Sequence, residues 1–505
     1  MPLEDEQRSV VTFLSQPDSY GPQIERIDRI TTHISHLFLV GGRVYKLKRA
    51  VKLPYVDFST LDSRRIACER EVSLNRRTAP DLYERTLAIT KNAHGKLMFG
   101  GEGEVVDWVV VMRRFEKDCL LDDLARRGPL RPEVLKALGD VIAEFHARAE
   151  PGQGYGGASA MRAIIDGNSV SFAACQGHVF EKDSIDRLQR VCYEQLERIS
   201  PLLDARRRTG KVRVCHGDLH LRNICLIDGH PVLFDCIEFS DSLSNIDILY
   251  DLAFLLMDFA HRGLKGDANA VFNRYLDRSD EDGGLAALPL FLAIRAAIRA
   301  HVIASSGDVS DGIAEARSYV RLALELLQPK ASRLIAIGGL SGTGKSTLAY
   351  RLAPDFGQTP GARVLRSDVV RKQLFGEHPE TRLPAEGYDR TVTRRVYDRL
   401  AIDAEKLLLS GQTVIVDAVY ARPDERDAIK AVAEKAAVQF TGIWLEGDTE
   451  ILAHRVSGRR NDASDADISI VRRQADYDIG PIDWYRIDAS SPAADVAAAV
   501  NRKIR

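Results

Sequence analysis

Alternating apolar and polar positions predict that the chain begins with antiparallel strands. The segments HLFLV and RVYKLK alternate on either side of a Gly-Gly dipeptide, so residues 30–48 are predicted to form a tight hairpin. A helical pattern covers residues 59–77, and ERTLAIT, KLMFGG and DWVVVMRRF predict three further strands. From Leu120 onwards the pattern is mainly helical, interrupted by the strand-like segments KVRVCHG and HPVLFDC.

A different pattern begins near residue 330. Four short apolar runs, RLIAIGG, ARVLRSD, GQTVIVDA and QFTGIWLEG, are separated by helical segments, which is typical of a parallel sheet covered by helices. The helical pattern before them, 313–327, is followed by Gln328-Pro329, where proline cannot continue a helix. We therefore predict two domains, an α+β domain at residues 1–329 and an α/β parallel-sheet domain at residues 330–505.

Charge and cysteine content narrow the function classes. The 505 residues include 70 Lys plus Arg against 72 Asp plus Glu, a balance that disfavours a general nucleic-acid or membrane-surface binder. Seven cysteines without a C-x-x-C pair disfavour a disulfide framework and a zinc ribbon. The acidic start has no signal-peptide pattern, and the apolar stretch 288–305 is interrupted by charges, which indicates a core helix. These features predict a cytoplasmic protein without a membrane partner.

The first apolar run after residue 330 leads into a phosphate-binding motif. Residues Gly339 to Ser346 match G-x-x-x-x-G-K-[ST] between a predicted strand and a predicted helix, the context that this motif requires. Its glycines permit a tight backbone whose N–H groups converge on phosphate at the helix N-terminus. Lys345 is predicted to reach the β- and γ-phosphates of ATP, and Ser346 to ligate Mg²⁺.

Charged residues after the next strands are the candidates for acceptor chemistry. Asp368 ends ARVLRSD, where it could accept a hydroxyl proton or cap a helix, and Arg371 follows one turn later to hold the substrate or the phosphoryl group. Asp417 ends TVIVDA and is suited to Mg²⁺ or its waters. Arg455 and Arg459, in HRVSGRR, predict either a lid over the phosphates or a solvated basic face.

These motifs resemble a group of P-loop kinases that contains polynucleotide 5′-hydroxyl kinases, gluconate kinase, chloramphenicol phosphotransferase and zeta-toxin-like kinases. GLSGTGKST, SDVVR, VIVDA and the arginine-bearing segment carry the resemblance over residues 333–505. It implies that Asp368 is the acceptor-side base, Arg371 a substrate or phosphate ligand, and the two lid arginines catalytic. The implied nucleotide-binding residues of the loop are Gly339, Leu340, Ser341, Gly342, Thr343, Gly344, Lys345, Ser346 and Thr347. The RIDAS segment is expected near the adenine.

The first half carries a second kinase-type pattern. HGDLHLRN has the spacing H-x-D-x-x-x-x-N, and a strand ending at Asp235 follows twelve residues later. In a kinase catalytic loop, the first Asp orients and deprotonates the acceptor hydroxyl, which assigns that role to Asp218. The Asn and the second Asp hold the metal ions that bridge the phosphates, which assigns Asn223 and Asp235 to Mg²⁺.

Upstream residues complete this pattern. Lys46, in VYK on the second hairpin strand, is the predicted nucleotide lysine, with Lys48 as its rival because alternation puts both on one strand face. Glu71 is the predicted ion-pair partner of the lysine, and Glu69 is the less favoured choice. Met112 follows DWVVV at the point where kinases join their lobes and bind adenine.

Together these features resemble the aminoglycoside phosphotransferase family, a two-lobed kinase-like fold that also serves choline, fructosamine, homoserine and sugar kinases. HGDLHLRNI, LFDCIEF and YDLAFLLMDF carry the resemblance, which covers about residues 25–325. His146 looks like the helical histidine of the family and is interpreted as structural. Glu238 is left open between metal-bound water and a substrate amine. The candidate phosphate flap, Thr31–His36, lacks the Gly-rich motif of protein kinases.

The favoured interpretation is one chain with two phosphotransferase domains that require ATP and Mg²⁺. Each transfers the γ-phosphoryl group to a hydroxyl of a small molecule, such as a sugar, an aminoglycoside or a related metabolite. In the alternative, the C-terminal domain is the sole kinase and the N-terminal domain is a nucleotide-sensing module. A nucleic-acid 5′-hydroxyl is a further acceptor for the C-terminal domain, but the near-neutral charge disfavours it. The acceptors, the coupling of the domains and the oligomeric state stay open.

Overall fold

The computed structural model describes residues 7–53, 56–175, 179–305, 311–457 and 463–504. Contacts between these residues divide the chain into two compact units. Unit 1 comprises the described residues of Met1–Leu130, Glu144–Ala160 and Asp204–Leu255, and unit 2 comprises those of Arg131–Ala143, Met161–Leu203 and Leu256–Arg505. The predicted boundary at 329/330 lies inside unit 2, because the helix Lys265–Asp277, which precedes it, hydrogen-bonds to the edge strand of the parallel sheet. The boundary at 329/330 between the two kinase-type regions of the sequence stays a prediction.

The described residues form seventeen strands. They are β1 (Ile27–Thr31), β2 (Ser35–Val40), β3 (Arg43–Lys48), β4 (Lys52–Leu53), β5 (Val56–Asp57), β6 (Tyr83–Lys91), β7 (Leu97–Phe99), β8 (Glu104–Arg113), β9 (Val212–Val214), β10 (Ile224–Ile227), β11 (His230–Leu233), β12 (Asn245–Asp247), β13 (Arg333–Gly339), β14 (Arg363–Arg366), β15 (Val414–Asp417), β16 (Gln439–Glu446) and β17 (Tyr485–Asp488).

Eighteen α-helices are described with them. They are α1 (Arg8–Leu14), α2 (Leu61–Asn75), α3 (Leu121–Arg126), α4 (Pro132–Arg148), α5 (Gly157–Ala174), α6 (Lys182–Arg208), α7 (Asp241–Ser244), α8 (Ile248–His261), α9 (Lys265–Asp277), α10 (Leu288–Ser305), α11 (Asp311–Leu326), α12 (Lys345–Leu352), α13 (Ser367–Leu374), α14 (Arg390–Leu409), α15 (Pro423–Lys435), α16 (Thr449–Ser457), α17 (Ile468–Ala475) and α18 (Ala493–Ile504).

Unit 1 is built on a six-stranded antiparallel sheet with the order β1-β2-β3-β8-β6-β7. The predicted hairpin is confirmed as β2 and β3, which pair Leu37 with Lys46 across the turn. Alternate side chains of these strands, including Phe38 and Leu47, are fully buried, while α2 packs against β8. The predicted catalytic segment HGDLHLRN lies between two small antiparallel pairs, β9 with β12 and β10 with β11.

Unit 2 contains a five-stranded sheet in which every pairing is parallel, with the order β14-β15-β13-β16-β17. The four strands predicted from apolar runs are confirmed, and the P-loop strand β13 is central. The sequence analysis did not predict β17, because its four residues YRID are mostly exposed and show no apolar run. The core beneath the sheet includes Ile335, Ile337 and Leu348, all almost completely buried.

The edge strand β14 obtains its missing hydrogen bonds from helix α9. Asn273 accepts a hydrogen bond from the Val364 backbone N–H at 2.8 Å, and its amide donates to the Ala362 carbonyl at 3.1 Å. Asn269 donates to the same carbonyl, also at 3.1 Å. An edge strand otherwise presents unpaired backbone groups to solvent. Two asparagine side chains therefore take the place of a neighbouring strand.

One described helical stretch, Asp282–Ser305, is long and apolar enough to cross a membrane by length and composition alone. Of its apolar window, 61% is buried inside the protein. Leu290, Phe291 and Ile294 of this stretch are almost completely buried. That burial is the behaviour of a core helix, which agrees with the sequence interpretation.

Candidate active sites

The predicted catalytic loop of unit 1 holds Asp218 and Asn223 together. The Asn223 amide donates to the Asp218 side-chain oxygen and to the Asp218 carbonyl, both at 2.9 Å. Asp235 follows β11 in a left-handed backbone conformation, φ +65°, and its N–H donates to the Tyr83 hydroxyl at 3.1 Å. A non-glycine residue in this region is uncommon and indicates a position fixed by its surroundings.

Lys46 connects the sheet to this catalytic segment. Its ammonium group lies 2.8 Å from a Glu71 carboxylate oxygen and 2.7 Å from an Asp235 carboxylate oxygen. The pKa of Lys46 is raised well above its usual value, because the charges of Asp235 and Glu71 outweigh the opposing effect of burial. Glu69, the less favoured partner, instead pairs with Arg65 on the exposed side of α2.

Lys48 extends the same cluster. Its fully buried ammonium group contacts Glu71 and Glu238, two residues that are themselves almost completely buried. Burial acts to raise the pKa of Glu71, but the two lysines outweigh it and lower the pKa to about 2. Burial raises the pKa of Glu238, against the charge of Lys48. Of the two lysines, Lys46 is the one that contacts the predicted metal ligand Asp235, whereas Lys48 contacts Glu238.

A buried aspartate, Asp251, holds the backbone of the predicted catalytic loop through hydrogen bonds. Asp251 accepts hydrogen bonds from the backbone N–H groups of His216 and Gly217, at 3.0 and 2.9 Å. His146 lies 3.1 Å from the same carboxylate and is 1% exposed. The sequence interpretation of His146 as structural fits this position. Sequence reasoning named Asp251 as an acidic residue near the predicted catalytic segment and favoured a cap or a core ion pair for it, but it did not predict these bonds to the loop backbone.

The remaining predicted parts of the unit 1 site are Met112, near the end of strand β8, and the flap that joins β1 and β2. Met112 is 7% exposed and packs with Leu82 and Tyr83 at the end of β8. In the predicted phosphate flap, the Ser35 side chain is buried and its hydroxyl has no hydrogen-bond partner within the described residues. Arg49 donates to the flap carbonyls of Thr32 and His33, at 2.9 and 3.0 Å.

The P-loop of unit 2 has the backbone that its motif predicts. Gly342 and Gly344 both have φ near +90°, and a Cβ atom on Gly342 would lie 2.8 Å from the Leu452 carbonyl. The loop therefore requires glycine at this position. Lys345 begins α12, and its ammonium group donates to the carbonyls of Gly339 and Leu340, at 2.8 and 3.0 Å.

The predicted metal ligands of unit 2 meet at the carboxyl ends of the strands. The Ser346 hydroxyl donates to Asp417 at 2.5 Å, and the Arg366 guanidinium lies 3.5 Å from the same carboxylate. Hydroxyl and carboxylate oxygens suit Mg²⁺, as do the carboxylate and amide oxygens of Asp235 and Asn223 in unit 1. Both donor sets therefore fit a magnesium–nucleotide complex.

Asp368 lies in the first turn of α13, directly after the edge strand β14. Burial raises the pKa of its carboxyl group, against the charges of Arg366 and Lys345. The nearby Asp417 acts in the same direction as burial. A carboxylate with a raised pKa is a better proton acceptor, which suits the predicted role as a base.

The structure places the predicted arginines against backbone carbonyls. Arg371 is 7% exposed, donates to the Gly387 carbonyl at 2.8 Å, and lies 5.0 Å from the Tyr388 ring centroid. Arg455 donates to the carbonyls of Ala489 and Ser490 after β17, at 2.7 and 3.2 Å. Arg459 lies outside the described residues. The catalytic roles of these arginines stay predictions.

A second charged cluster beside Asp368 was missed by sequence reasoning. Asp465 accepts hydrogen bonds from the Lys372 ammonium group, the Tyr388 hydroxyl and the Leu383 backbone N–H. Lys372 is fully buried. The position of Lys372 directly after the SDVVR motif was a weak indication that it belongs to the site. No motif contains Asp465.

Relatives that match nearly the whole of this chain show which family it belongs to. "Uncharacterized protein Rv2004c" of Mycobacterium tuberculosis (strain ATCC 25618 / H37Rv) is 32% identical over 479 residues, which cover 92% of this chain and 93% of that protein. "Uncharacterized protein Mb2027c" of Mycobacterium bovis (strain ATCC BAA-935 / AF2122/97) matches to the same extent. The chain belongs to their family.

Two family models match separate regions of this chain. A model of the "Phosphotransferase enzyme family" matches residues 112–288, and a model of the "AAA domain" matches residues 334–477. The first match contains Asp218 and Asp235, while Lys46 precedes it. The chain thus joins an aminoglycoside-phosphotransferase-type region to a P-loop kinase region. The chain is an ATP-dependent kinase, and kinases of these types use ATP and typically Mg²⁺.

Solved structures are more distant from this family member. A choline/ethanolamine kinase family protein from Mesorhizobium loti is 14% identical, covers 65% of this chain and 95% of its own, and has a TM-score of 0.40. A gluconokinase from Sinorhizobium meliloti 1021 is 20% identical, covers 34% and 93%, and has a TM-score of 0.23. These likenesses carry no argument about the substrates of this chain.

Proposed function

We propose that the chain is a bifunctional kinase with one phosphotransferase site in each unit. The observation that supports this proposal is that each unit contains its own residues predicted to serve as nucleotide lysine, metal ligands and base. Each site transfers the γ-phosphoryl group of ATP to a hydroxyl of a small molecule, and the chain acts in the cytoplasm. Bound Mg²⁺ supplies the positive charge that stabilises the transferring phosphoryl group.

In unit 1, Asp218 accepts the proton of the acceptor hydroxyl. The Asn223 amide, which donates to Asp218, keeps that carboxylate oriented while leaving the Asn223 side-chain oxygen to face a metal. Lys46 holds the α- and β-phosphates and is itself oriented by Glu71. Asp251 fixes the loop backbone on which the base lies. These contacts hold the lysine and the loop that carries the base in fixed positions.

In unit 2, backbone N–H groups of the P-loop and Lys345 bind the phosphates. Lys345 exchanges its hydrogen bonds to the Gly339 and Leu340 carbonyls for phosphate oxygens. Ser346 and Asp417 hold the metal, and Asp368 accepts the proton of the acceptor hydroxyl. The near-neutral charge favours a small molecule over a nucleic acid as the acceptor.

The alternative, in which unit 1 senses nucleotide without turnover, is favoured by one observation. The flap carries no glycine, and Arg49 ties two of its carbonyls, so the flap has less freedom to close over phosphates. The complete set of Lys46, Asp218, Asn223 and Asp235 supports catalysis instead.

The proposal is tested by product profiling with the full chain. The protein is incubated with γ-labelled ATP, Mg²⁺ and a small-molecule cell extract, beside Asp218→Asn and Lys345→Ala. We expect one set of labelled products to fall by about 10²–10⁴-fold only in Asp218→Asn, because a general base is lost. A second set is expected to disappear only in Lys345→Ala. If Asp218→Asn alters no product, unit 1 is a sensor and the bifunctional proposal is wrong.

A further inference from the structure

A serine hydroxyl of the chain itself lies against the proposed base of unit 2. Ser464 donates a hydrogen bond to the Asp368 carboxyl group. Lys345 of the P-loop and Asp417 of the metal pair lie close enough for their charges to act on that carboxyl group. A general base must be within hydrogen-bond reach of the proton that it removes. A hydroxyl hydrogen-bonded to Asp368 therefore stands where an acceptor hydroxyl belongs.

The adjacent residue holds this hydroxyl in place. Asp465 has a side chain that is 10% exposed and receives the hydrogen bonds of Lys372, Leu383 and Tyr388 described above. Two of these donors lie on the segment that follows α13, the helix that carries Asp368. The ion pair between Lys372 and Asp465 thus links the backbone of Ser464 directly to the helix of the base. The hydrogen bonds of Asp465 thus hold Ser464 in its contact with Asp368.

We propose that Ser464 is an internal phosphoryl acceptor, so that the P-loop kinase site phosphorylates its own chain. This inference rests on the proposed function of unit 2. The Ser464 Oγ forms a bond to the γ-phosphorus of ATP while the bond from that phosphorus to the β–γ bridging oxygen breaks. The hydroxyl proton passes to Asp368, and ADP leaves. The products are phosphoserine and ADP, and no further reactant is required.

Phosphorylation would change the acceptor side of the site. A phosphoserine carries a charge of about −1.5 to −2 at neutral pH. That charge would lie beside the carboxylates of Asp368 and Asp465, which repel it. The segment is therefore expected to leave the base after modification, which opens the acceptor position to an external hydroxyl. Ser464 is thus a substrate of this site and also controls whether an external hydroxyl can reach Asp368.

The test uses the full chain with γ-labelled ATP and Mg²⁺ and no added acceptor. The labelled peptide is identified by mass spectrometry. We expect label on Ser464, with a rate constant independent of protein concentration because the transfer is within one chain. Ser464→Ala removes that label, and Asp368→Asn slows it by about 10²–10⁴-fold. Ser469→Ala, which removes an exposed hydroxyl bound to Asp467 nearby, is the matched control and keeps full labelling. Thermal unfolding of each variant verifies that it is folded.

Each contrary outcome has a definite meaning. Label that persists in Ser464→Ala, or that disappears in Asp218→Asn, comes from another residue or from unit 1 and overturns the inference. An unlabelled chain that still forms a small-molecule product dependent on Lys345 overturns the inference and leaves the proposed function intact. If no phosphoryl transfer of any kind depends on Lys345, the proposed function of unit 2 fails.

Discussion

Lys46 and Lys345 are the predicted nucleotide lysines of the two units, and their partners differ in kind. Lys46 lies between the carboxylates of Glu71 and Asp235, in a buried cluster that also includes Lys48 and Glu238. Lys345 donates to carbonyls of its own loop. The first lysine is held by ion pairs between distant parts of the chain, whereas the second is held by a local motif. The predicted nucleotide site is therefore coupled more tightly to the stability of the fold in unit 1 than in unit 2.

The largest effect is expected from removing the Glu71 carboxylate, which Lys46 and Lys48 share. Glu71→Gln leaves two buried ammonium groups with one fewer partner each, and breaking a buried pair costs about 3–5 kcal/mol. We expect a loss of that size in the free energy of unfolding, measured by urea denaturation. Glu69→Gln, which removes an exposed pair on the same helix, should cost less than about 1 kcal/mol. Equal losses for the two variants would contradict the buried cluster.

The edge strand β14, which directly precedes the helix that carries Asp368, offers a test within unit 2. Asn273→Leu leaves the Val364 N–H without its partner and weakens the satisfaction of the Ala362 carbonyl, at about 1–3 kcal/mol for a buried group left unpaired. Asn269→Leu removes one donor to the Ala362 carbonyl but keeps the partner of the Val364 N–H, and should lose less. Urea denaturation measures both, and hydrogen exchange at the Val364 amide reports the local opening. Unchanged exchange in Asn273→Leu would show that α9 does not hold the strand.

The smallest expected effect is a dependence of stability on pH at Glu380. Burial opposes the shift, but Arg274 and Lys136 lower the pKa of Glu380 from its usual 4.5 to about 2. A depressed pKa contributes stability above the usual value, and that contribution is lost as the pH falls from about 4.5 towards 2. The difference in unfolding free energy between the native chain and Glu380→Gln should be about 1 kcal/mol at pH 7.

The same difference should shrink when the unfolding experiments are repeated near pH 3. Glu377→Gln, three residues earlier, removes an exposed carboxylate that is not part of this ion pair and serves as the control. A difference for Glu380→Gln that grows as the pH falls would contradict the assignment of the pair.

Local chemistry explains what the sequence could predict. Strand alternation, turn glycines and the P-loop spacing act over a few residues, so the hairpin β2–β3 and the loop at 339–346 were predictable. The pairing of Lys48 with Glu238 joins residues that are 190 positions apart, and only the fold brings them together. The same holds for the hydrogen bond between Asn273 of α9 and Val364 of β14, and for the contact of Asp465 with Lys372. Polar side chains of this kind carry no periodic signal that a pattern could detect.

The central claim is that each unit has its own nucleotide site, and binding stoichiometry tests it most directly. Calorimetric titration of the full chain with a non-hydrolysable ATP analogue and Mg²⁺ should give two molecules bound per chain. Lys46→Ala and Lys345→Ala should each reduce the value to one, and the double variant should bind none. A value of one that Lys345→Ala alone abolishes would contradict the claim and leave unit 1 without a nucleotide site.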